Sequence, residues 1–227
     1  MKILLGSHYF LPSAGGIETA SALLAGEFVQ LGHEVRVVTQ TAASTEQEFP
    51  VIRRPGVFEL IRQIRWCDVF LQNNISLRTM WPILFVRRPL FIIHQTWISD
   101  EHGRVGWLHR LKFFLLRLGR SFAISDAIAA QLPVPAEKIG NPFDDDVFKD
   151  FGDIARNNDL IFVGRLVSDK GLDVLIDALA ILRDSEVNAR LTVAGDGPER
   201  PVIENQIANL KLQSNIYFAG QCDSRRL

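Results

Sequence analysis

The chain has 227 residues, with 25 Lys/Arg against 26 Asp/Glu and a formal net charge of −1 at pH 7. A hydrophobic fraction of 47% beside 22% charged residues is typical of a folded globular protein and excludes an extended disordered chain. The length allows one domain and part of a second, and no apolar run reaches the roughly 20 residues of a transmembrane helix.

Cysteine and histidine usage indicates a reducing compartment and no metal. The two cysteines, Cys67 and Cys222, lie far apart, and the five histidines show no ligand spacing. The apolar run at residues 1–6 is short and is followed by the polar residues Ser7 and His8. It therefore does not resemble the longer apolar region of a signal peptide. We therefore expect a cytoplasmic protein without a disulfide framework or a metal site.

Short β-rich runs alternate with amphipathic stretches through the first half of the chain. This alternation predicts a parallel sheet covered by helices. The predicted strands are Lys2–Leu5, Glu34–Thr39, Val69–Gln72, Leu90–His94 and Ser121–Ile124, and the predicted helices are Ile17–Leu31 and Asp126–Leu132.

The pair Gly15-Gly16 lies between the first predicted strand and the first predicted helix. Glycines at a helix start let free backbone N–H groups approach an anion with no Cβ in the way. We expect a phosphate-binding loop here, and an ordinary turn is the alternative.

The stretch from residue 51 to residue 120 is basic, with twelve Lys/Arg against four Asp/Glu. Within it, the segment Gly103–Arg120 has cations around an apolar stripe at helical spacing, made of Trp107, Leu108, Leu111, Phe114, Leu115 and Leu118. Such a segment is typical of a helix lying on an anionic membrane. The alternative is a helix that packs on the sheet and shows its charges to water, and the wider positive charge favours the membrane.

The segment Pro133–Arg156 is rich in proline, glycine and aspartate, which indicates a linker. We therefore predict two domains, covering residues 1–150 and 151–227. The second begins a new alternation that predicts a βαβαβ unit, half of a doubly wound sheet. Its predicted elements are strand Leu160–Val163, helix Leu172–Leu182, strand Arg190–Ala194, helix Glu199–Leu210 and strand Ile216–Ala219.

The loop after Leu160–Val163 carries two cations, Arg165 and Lys170. A loop between a parallel strand and a helix is a common phosphate site, and these cations could hold a diphosphate between them.

Three pieces of the second half, at residues 160–166, 169–176 and 191–198, carry a family resemblance. In order and spacing they resemble the family-four retaining glycosyltransferases. The resemblance implies the GT-B fold, in which two Rossmann-like domains face a cleft that holds a nucleotide-sugar. It implies transfer of a sugar from a nucleotide-diphosphate donor, with retention and without a metal or cofactor. The implied acceptor is a saccharide or a lipid-linked group in cell-surface polysaccharide or glycolipid synthesis, and no nucleic acid takes part.

The resemblance also implies roles for five residues. Arg165 and Lys170 would clamp the donor diphosphate, while Gly15 and Gly16 would approach the donor phosphate and the acceptor. His94 would be catalytic, contacting the transferred sugar or positioning the acceptor. Many relatives have an acidic residue after this histidine, whereas this chain has a glutamine, so no proton transfer is implied.

One feature of the family is missing from the second half. Relatives carry a Glu-x7-Glu segment that binds the donor sugar and ribose, and this sequence has no glutamate after Glu204. The second domain is therefore expected to be incomplete and the chain alone to be inactive. The alternative to an enzyme is a noncatalytic fragment, or half of a split enzyme that needs a partner chain. A nicotinamide dehydrogenase is disfavoured because the first strand-helix turn lacks Gly-x-Gly-x-x-Gly.

Overall fold

The computed structural model describes residues 1–13, 15–98, 106–149, 152 and 159–222. The chain divides into two compact units, Met1–Asp144 and Asp145–Leu227. Each unit contains its own parallel sheet.

The first unit is built on a seven-stranded parallel sheet among its described residues. Its strands are β1 Lys2–Ser7, β2 Glu34–Thr39, β3 Val51–Arg53, β4 Val69–Asn73, β5 Leu90–His94, β6 Arg120–Ala123 and β7 Ala136–Lys138. Its α-helices are α1 Gly16–Gln30, α2 Val57–Trp66, α3 Leu77–Met80, α4 Trp107–Leu116 and α5 Asp126–Ala130. A 3₁₀ turn over Trp81–Leu84 follows α3.

The strand order β3-β2-β1-β4-β5-β6-β7 reverses direction between β1 and β4. Ligands of open parallel sheets bind outside the carboxyl ends of the strands at such a switch point. A ligand site in this unit is therefore expected at the carboxyl edge of β1, β4 and β5.

Both faces of this sheet are buried, which explains the continuous apolar runs of its strands. Leu4 of β1 packs in a core with Leu60 and Ile64 of α2. Its neighbours Ile3 and Leu5 point to the other face and pack in a second core beside α1. Side chains of a strand alternate between faces, so an unbroken apolar strand needs helices on both.

The five predicted strands of this unit are present, with ends shifted by up to two residues. The prediction of a linker from Pro133 onward was wrong at its start, because Ala136–Lys138 forms β7 and pairs in parallel with β6. Prolines border β7, and an edge strand tolerates them because only one of its sides makes ladder hydrogen bonds. β3, α2 and α3 had not been predicted.

The described residues of the second unit form a three-stranded parallel sheet in the order β10-β9-β8. Its elements are β8 Leu160–Val163, α6 Leu172–Asp184, β9 Leu191–Ala194, α7 Arg200–Asn209 and β10 Ile216–Gly220, with a 3₁₀ turn over Ser168–Lys170 before α6. This is the predicted βαβαβ unit, and its core joins the two helices to one face of the sheet through Ile176, Val193 and Ile203.

The opposite face of this small sheet is open to solvent. Ile161 and Tyr217 both pair in register with Thr192, so all three lie on the same face. Ile161 is 59% exposed and Tyr217 is 68% exposed. Among the described residues, helices therefore cover this sheet from one side only.

No helix in the described part of the chain combines the length and the apolar character needed to cross a membrane.

Candidate functional site

Arg165 and Lys170 lie in the loop that joins β8 to α6. Leu166, which is 1% exposed, anchors the loop in the core, while the neighbouring Arg165 is exposed. Lys170 ends the 3₁₀ turn, and its Nζ lies 3.4 Å from Asp169 Oδ2. Such an exposed pair contributes about 0–1 kcal/mol, so it competes little with a ligand for the lysine. Gly171 then has φ 69°, a left-handed conformation that suits glycine, and the chain turns there into α6.

The loop that follows β9, at residues 195–198, supports the β8–α6 loop through the backbone. Gly164 N donates to Ala194 O at 3.0 Å, and Leu166 N donates to Asp196 O at 3.0 Å. A Cβ at Gly195 would lie 1.9 Å from the Gly164 carbonyl oxygen. A side chain at Gly195 would therefore force the two loops apart. The close approach at this glycine helps to hold the Arg165 loop in position.

Gly15 and Gly16 line an open cavity of about 440 Å³ in the first unit. A Cβ on Gly16 would meet no atom within 4 Å, so the space above it is free. Thr19 Oγ1 donates to Gly15 O at 3.0 Å and fixes the first turn of α1. The other lining residues are Leu11, Pro12, Ser13, Thr19, Ala20, Asn141 and Pro142. Because none of these residues is charged, an anion here would depend on backbone N–H groups.

We expect Gly16→Ala to weaken the binding of a donor or acceptor phosphate while leaving the fold intact. The added methyl group meets no protein atom but occupies the space that a phosphate would need. Gly26→Ala in the same helix is the matched control, because its methyl group also meets nothing within 4 Å. Titration of a nucleotide-sugar into both variants measures the effect, and equal affinities would mean that the glycine pair is only a turn.

A buried polar network lies at the carboxyl ends of β1, β4 and β5. Asn73 Nδ2 donates to Ser21 Oγ at 2.8 Å, and Ser21 Oγ lies 2.9 Å from Ser7 Oγ. Gln95 Nε2 donates to Asn73 Oδ1 at 3.1 Å. The network ties α1 to the sheet and so positions the Gly15-Gly16 loop. Sequence reasoning missed it, although the polar residues that end each apolar strand were a usable signal.

His94 ends β5 and is fully buried beside this network. Its Nε2 lies 3.2 Å from Ser121 Oγ, and its Nδ1 has no hydrogen-bond partner among the described residues. Burial lowers the pKa of His94 from 6.5 to about 4. The ring is therefore neutral at physiological pH and can exchange hydrogen bonds without carrying charge. Its catalytic role stays a prediction.

The segment Gly103–Arg120 lies partly outside the described residues, since 103–105 are not described. The helix α4 ends at Leu116, and Arg120 belongs to β6. Leu115 is fully buried in the core, so its inclusion in a membrane-facing stripe was wrong. Trp107 and Phe114 of the same stripe are 73% and 50% exposed, so α4 packs on the sheet and also presents aromatic side chains to solvent.

The described residues show neither a candidate metal site nor a disulfide. No group of three His, Cys, Asp or Glu side chains among the described residues could hold a metal ion. Cys67 and Cys222 are free thiols, and burial raises the pKa of Cys67 to about 11.

Comparison with known proteins agrees with this architecture. Residues 144–227 match the family model described as "Glycosyl transferases group 1". Among curated proteins, a component of phosphatidylinositol N-acetylglucosaminyltransferase from Arabidopsis thaliana is 21% identical over 100% of this chain. A GDP-mannose-dependent phosphatidylinositol dimannoside mannosyltransferase from Mycobacterium tuberculosis is 45% identical over 62 residues, which are 27% of this chain and 16% of that protein.

Solved structures show the same fold. Anabaena HepE, in complex with UDP and glucose, has a TM-score of 0.75 at 20% identity and covers 99% of this chain and 70% of its own. WaaG, a glycosyltransferase of lipopolysaccharide biosynthesis, has a TM-score of 0.66 at 18% identity, covering 99% of this chain and 72% of its own.

The chain spans 59% of the Arabidopsis protein's length and 16% of the mycobacterial one. The two parallel α/β units and the match over residues 144–227 confirm the resemblance that the sequence motifs carry. Residues 144–227 therefore resemble the group 1 glycosyltransferases, and the chain has the GT-B fold of the solved structures while covering part of their length.

Proposed function

We propose that the protein is a retaining glycosyltransferase that moves a sugar from a nucleotide-diphosphate donor to a saccharide or lipid-linked acceptor. The setting we propose is cell-surface polysaccharide or glycolipid synthesis, in the cytoplasm or on the inner face of the cell membrane. The relatives named above, which act on phosphatidylinositol derivatives or in lipopolysaccharide biosynthesis, support this setting.

The main support for this proposal is the pair of cations, Arg165 and Lys170, in the β8–α6 loop. When the bond between the anomeric carbon and the β-phosphate oxygen breaks, negative charge grows on the departing diphosphate. In this proposal Arg165 and Lys170 neutralise that charge, and the backbone hydrogen bonds of their loop support it by holding the loop in place. Preorganised charges aimed at a leaving group stabilise the transition state more than the ground state.

The first unit would supply the acceptor side of the reaction. In this proposal Gly15 and Gly16 approach the donor phosphate or acceptor, and the neutral His94, which is fully buried in this structure, positions a hydroxyl group of a sugar once neighbouring side chains move aside. Such a histidine would act through a hydrogen bond, because its lowered pKa keeps it uncharged at physiological pH.

The test of this function is sugar transfer from a panel of UDP-sugars and GDP-sugars to saccharide and lipid-linked acceptors. A polypeptide of the relatives' length is expected to catalyse multiple rounds of sugar transfer, with retention of configuration at the anomeric carbon. The 227 residues alone are expected to bind a nucleoside diphosphate without turnover, because the sequence has no glutamate after Glu204 to provide a Glu-x7-Glu segment. Multiple turnovers by the 227 residues would contradict the second expectation.

A noncatalytic fragment, or one half of a split enzyme, is the second candidate. The open face of the small sheet, with Ile161 and Tyr217 exposed, favours association with further polypeptide. Restored turnover on mixing with a separate polypeptide that carries the Glu-x7-Glu segment would identify a split enzyme.

We also propose that the first unit docks on an anionic membrane surface. A basic–apolar surface joins the end of α4 to the 3₁₀ turn and its following loop, around a cavity of about 460 Å³. Its residues are Ile83, Leu84, Arg87, Arg88, Phe114, Arg117 and Leu118. None is acidic, and Leu84, Phe114 and Leu118 are 42%, 50% and 43% exposed. Cations around exposed apolar side chains suit the interface of an anionic bilayer.

We expect the double variant Arg87→Gln/Arg117→Gln to lose most binding to vesicles that contain phosphatidylglycerol. Each cation near such a surface contributes about 1 kcal/mol, and the attraction is screened by salt. Arg88 is left intact because its guanidinium donates to the backbone carbonyls of Ile64 and Arg65. Lys149→Gln, an exposed cation of the second unit, is the control. Equal sedimentation of the protein with neutral and anionic vesicles would contradict membrane docking and leave α4 with a structural role only.

A further inference from the structure

An open cavity of about 410 Å³ lies at the carboxyl ends of β1 and β4. This is the switch point of the larger sheet, where ligands of open α/β sheets bind. Its volume falls within the roughly 300–1,000 Å³ of small-molecule sites. We call it the cationic pocket, and it is lined by His8, Tyr9, Ile17, Asn73, Asn74, Ile75, Ser76, Leu77, Arg78, Leu108, His109 and Lys112.

Two permanent cations from different elements line this pocket, Arg78 from α3 and Lys112 from α4. None of the lining residues is acidic. In the described part of the chain, neither cation is within 4.0 Å of a carboxylate oxygen, so neither is neutralised by an ion pair there. The pocket therefore offers two positive charges to a ligand.

The electrostatic field of these cations reaches a third side chain. The pKa of His8 is lowered first by burial and then by the positive charges of Arg78 and Lys112. His8 Nδ1 lies 3.1 Å from Ser76 Oγ, which holds the ring at the pocket wall. This lowering agrees with the geometry, in which Arg78 and Lys112 line the same cavity as His8.

Neutral hydrogen-bond donors and apolar walls complete the pocket. His109 Nδ1 accepts a hydrogen bond from Gly106 N at 3.1 Å, so the neutral ring carries its proton on Nε2 and can donate from there. Leu77 and Leu108 lie beside the charged residues and give the pocket an apolar side. The combination suits an anionic group attached to a larger organic body.

We propose that the cationic pocket binds the acceptor through a phosphate ester, with Arg78 and Lys112 as the specificity-determining residues. This inference rests on the proposed function and narrows its acceptor to phosphate-bearing molecules. Phosphate oxygens accept charge-assisted hydrogen bonds from guanidinium and ammonium groups, and both are present from separate elements. A neutral saccharide would leave both cations without a partner.

The test is titration of glycerol 3-phosphate and of glycerol into the full chain. Glycerol 3-phosphate is expected to bind and glycerol not. Arg78→Gln and Lys112→Gln should each weaken phosphate binding by about tenfold or more, since each removes a charged partner. Arg110→Gln is the matched control, because Arg110 is an exposed cation of the same helix that does not line the pocket. A second pair, dihexanoyl phosphatidic acid and dihexanoylglycerol, separates a lipid source of the phosphate from a soluble one.

Because glycerol 3-phosphate could also reach the β8–α6 loop, the titrations are repeated in an Arg165→Ala background. Binding that survives there and falls with Arg78→Gln supports the proposal. Equal affinities for wild type, Arg78→Gln, Lys112→Gln and Arg110→Gln would overturn it, as would equal binding of glycerol and its phosphate. UDP and GDP are titrated in parallel. Failure of the wild type to bind either nucleotide would contradict the proposed function, whereas the binding of glycerol 3-phosphate tests the cationic pocket independently.

Discussion

Removal of either cation of the β8–α6 loop is expected to weaken nucleoside diphosphate binding by about 1.5–3 kcal/mol, roughly tenfold to over a hundredfold. Arg165 and Lys170 would each make a charge-assisted contact with the diphosphate. Arg165 is exposed, and among the described residues Lys170 pairs with the exposed Asp169 at 3.4 Å, so little folding free energy depends on either side chain. Arg165→Ala and Lys170→Ala should therefore fold as the wild type does, and affinity alone should change.

Calorimetric titration of UDP and GDP into the wild type and both variants measures this effect. Arg190→Ala is the matched control, because Arg190 precedes β9 and lies at the amino edge of the same sheet, away from the loop. Lys170→Arg keeps the charge, so it should lose less affinity than Lys170→Ala. If wild type, Arg165→Ala and Lys170→Ala bind equally, the loop does not hold the diphosphate.

The strands that the sequence predicted well are those buried on both faces. β1, β4 and β5 are unbroken apolar runs because helices cover both sides of the sheet, and this burial gives a strong local signal. β3 and β7 are edge strands of three residues each, with a single neighbour apiece. So short a strand has no periodicity to detect, and prolines beside β7 indicated a loop instead.

The polar residues that end β1, β4 and β5 were visible in the sequence, but the hydrogen bonds between them could not be predicted because they depend on strand register. Ser7 and Asn73 are neighbours only because β1 and β4 pair in parallel with those two residues opposite each other. In the same way, the contact between His94 and Ser121 requires β5 and β6 to lie side by side. The position of Arg165 and Lys170 in a loop between a strand and a helix was easier to predict, since β8, the loop and α6 follow one another in the chain.

The buried His94 should make the stability of the first unit depend on pH. Its pKa is about 4 in the folded state, against an ordinary value of 6.5. The unfolded chain therefore binds a proton at a pH where the folded unit does not, and stability is lost as pH falls below 6.5. Between about pH 7 and about pH 5, where most carboxylates stay ionised, the expected loss from His94 is about 2 kcal/mol.

Tryptophan fluorescence during urea unfolding measures this loss in the first unit alone, because all four tryptophans, Trp66, Trp81, Trp97 and Trp107, lie within Met1–Asp144. His94→Gln should flatten the pH dependence, since glutamine does not titrate. His8→Gln is the comparison: the pKa of His8 is also lowered, so this variant should flatten the curve in the same direction while leaving the His94 contribution in place. A wild type whose first unit is equally stable at both pH values, or a His94→Gln curve no flatter than that of the wild type, would mean that folding does not lower the pKa of His94 and would contradict this prediction.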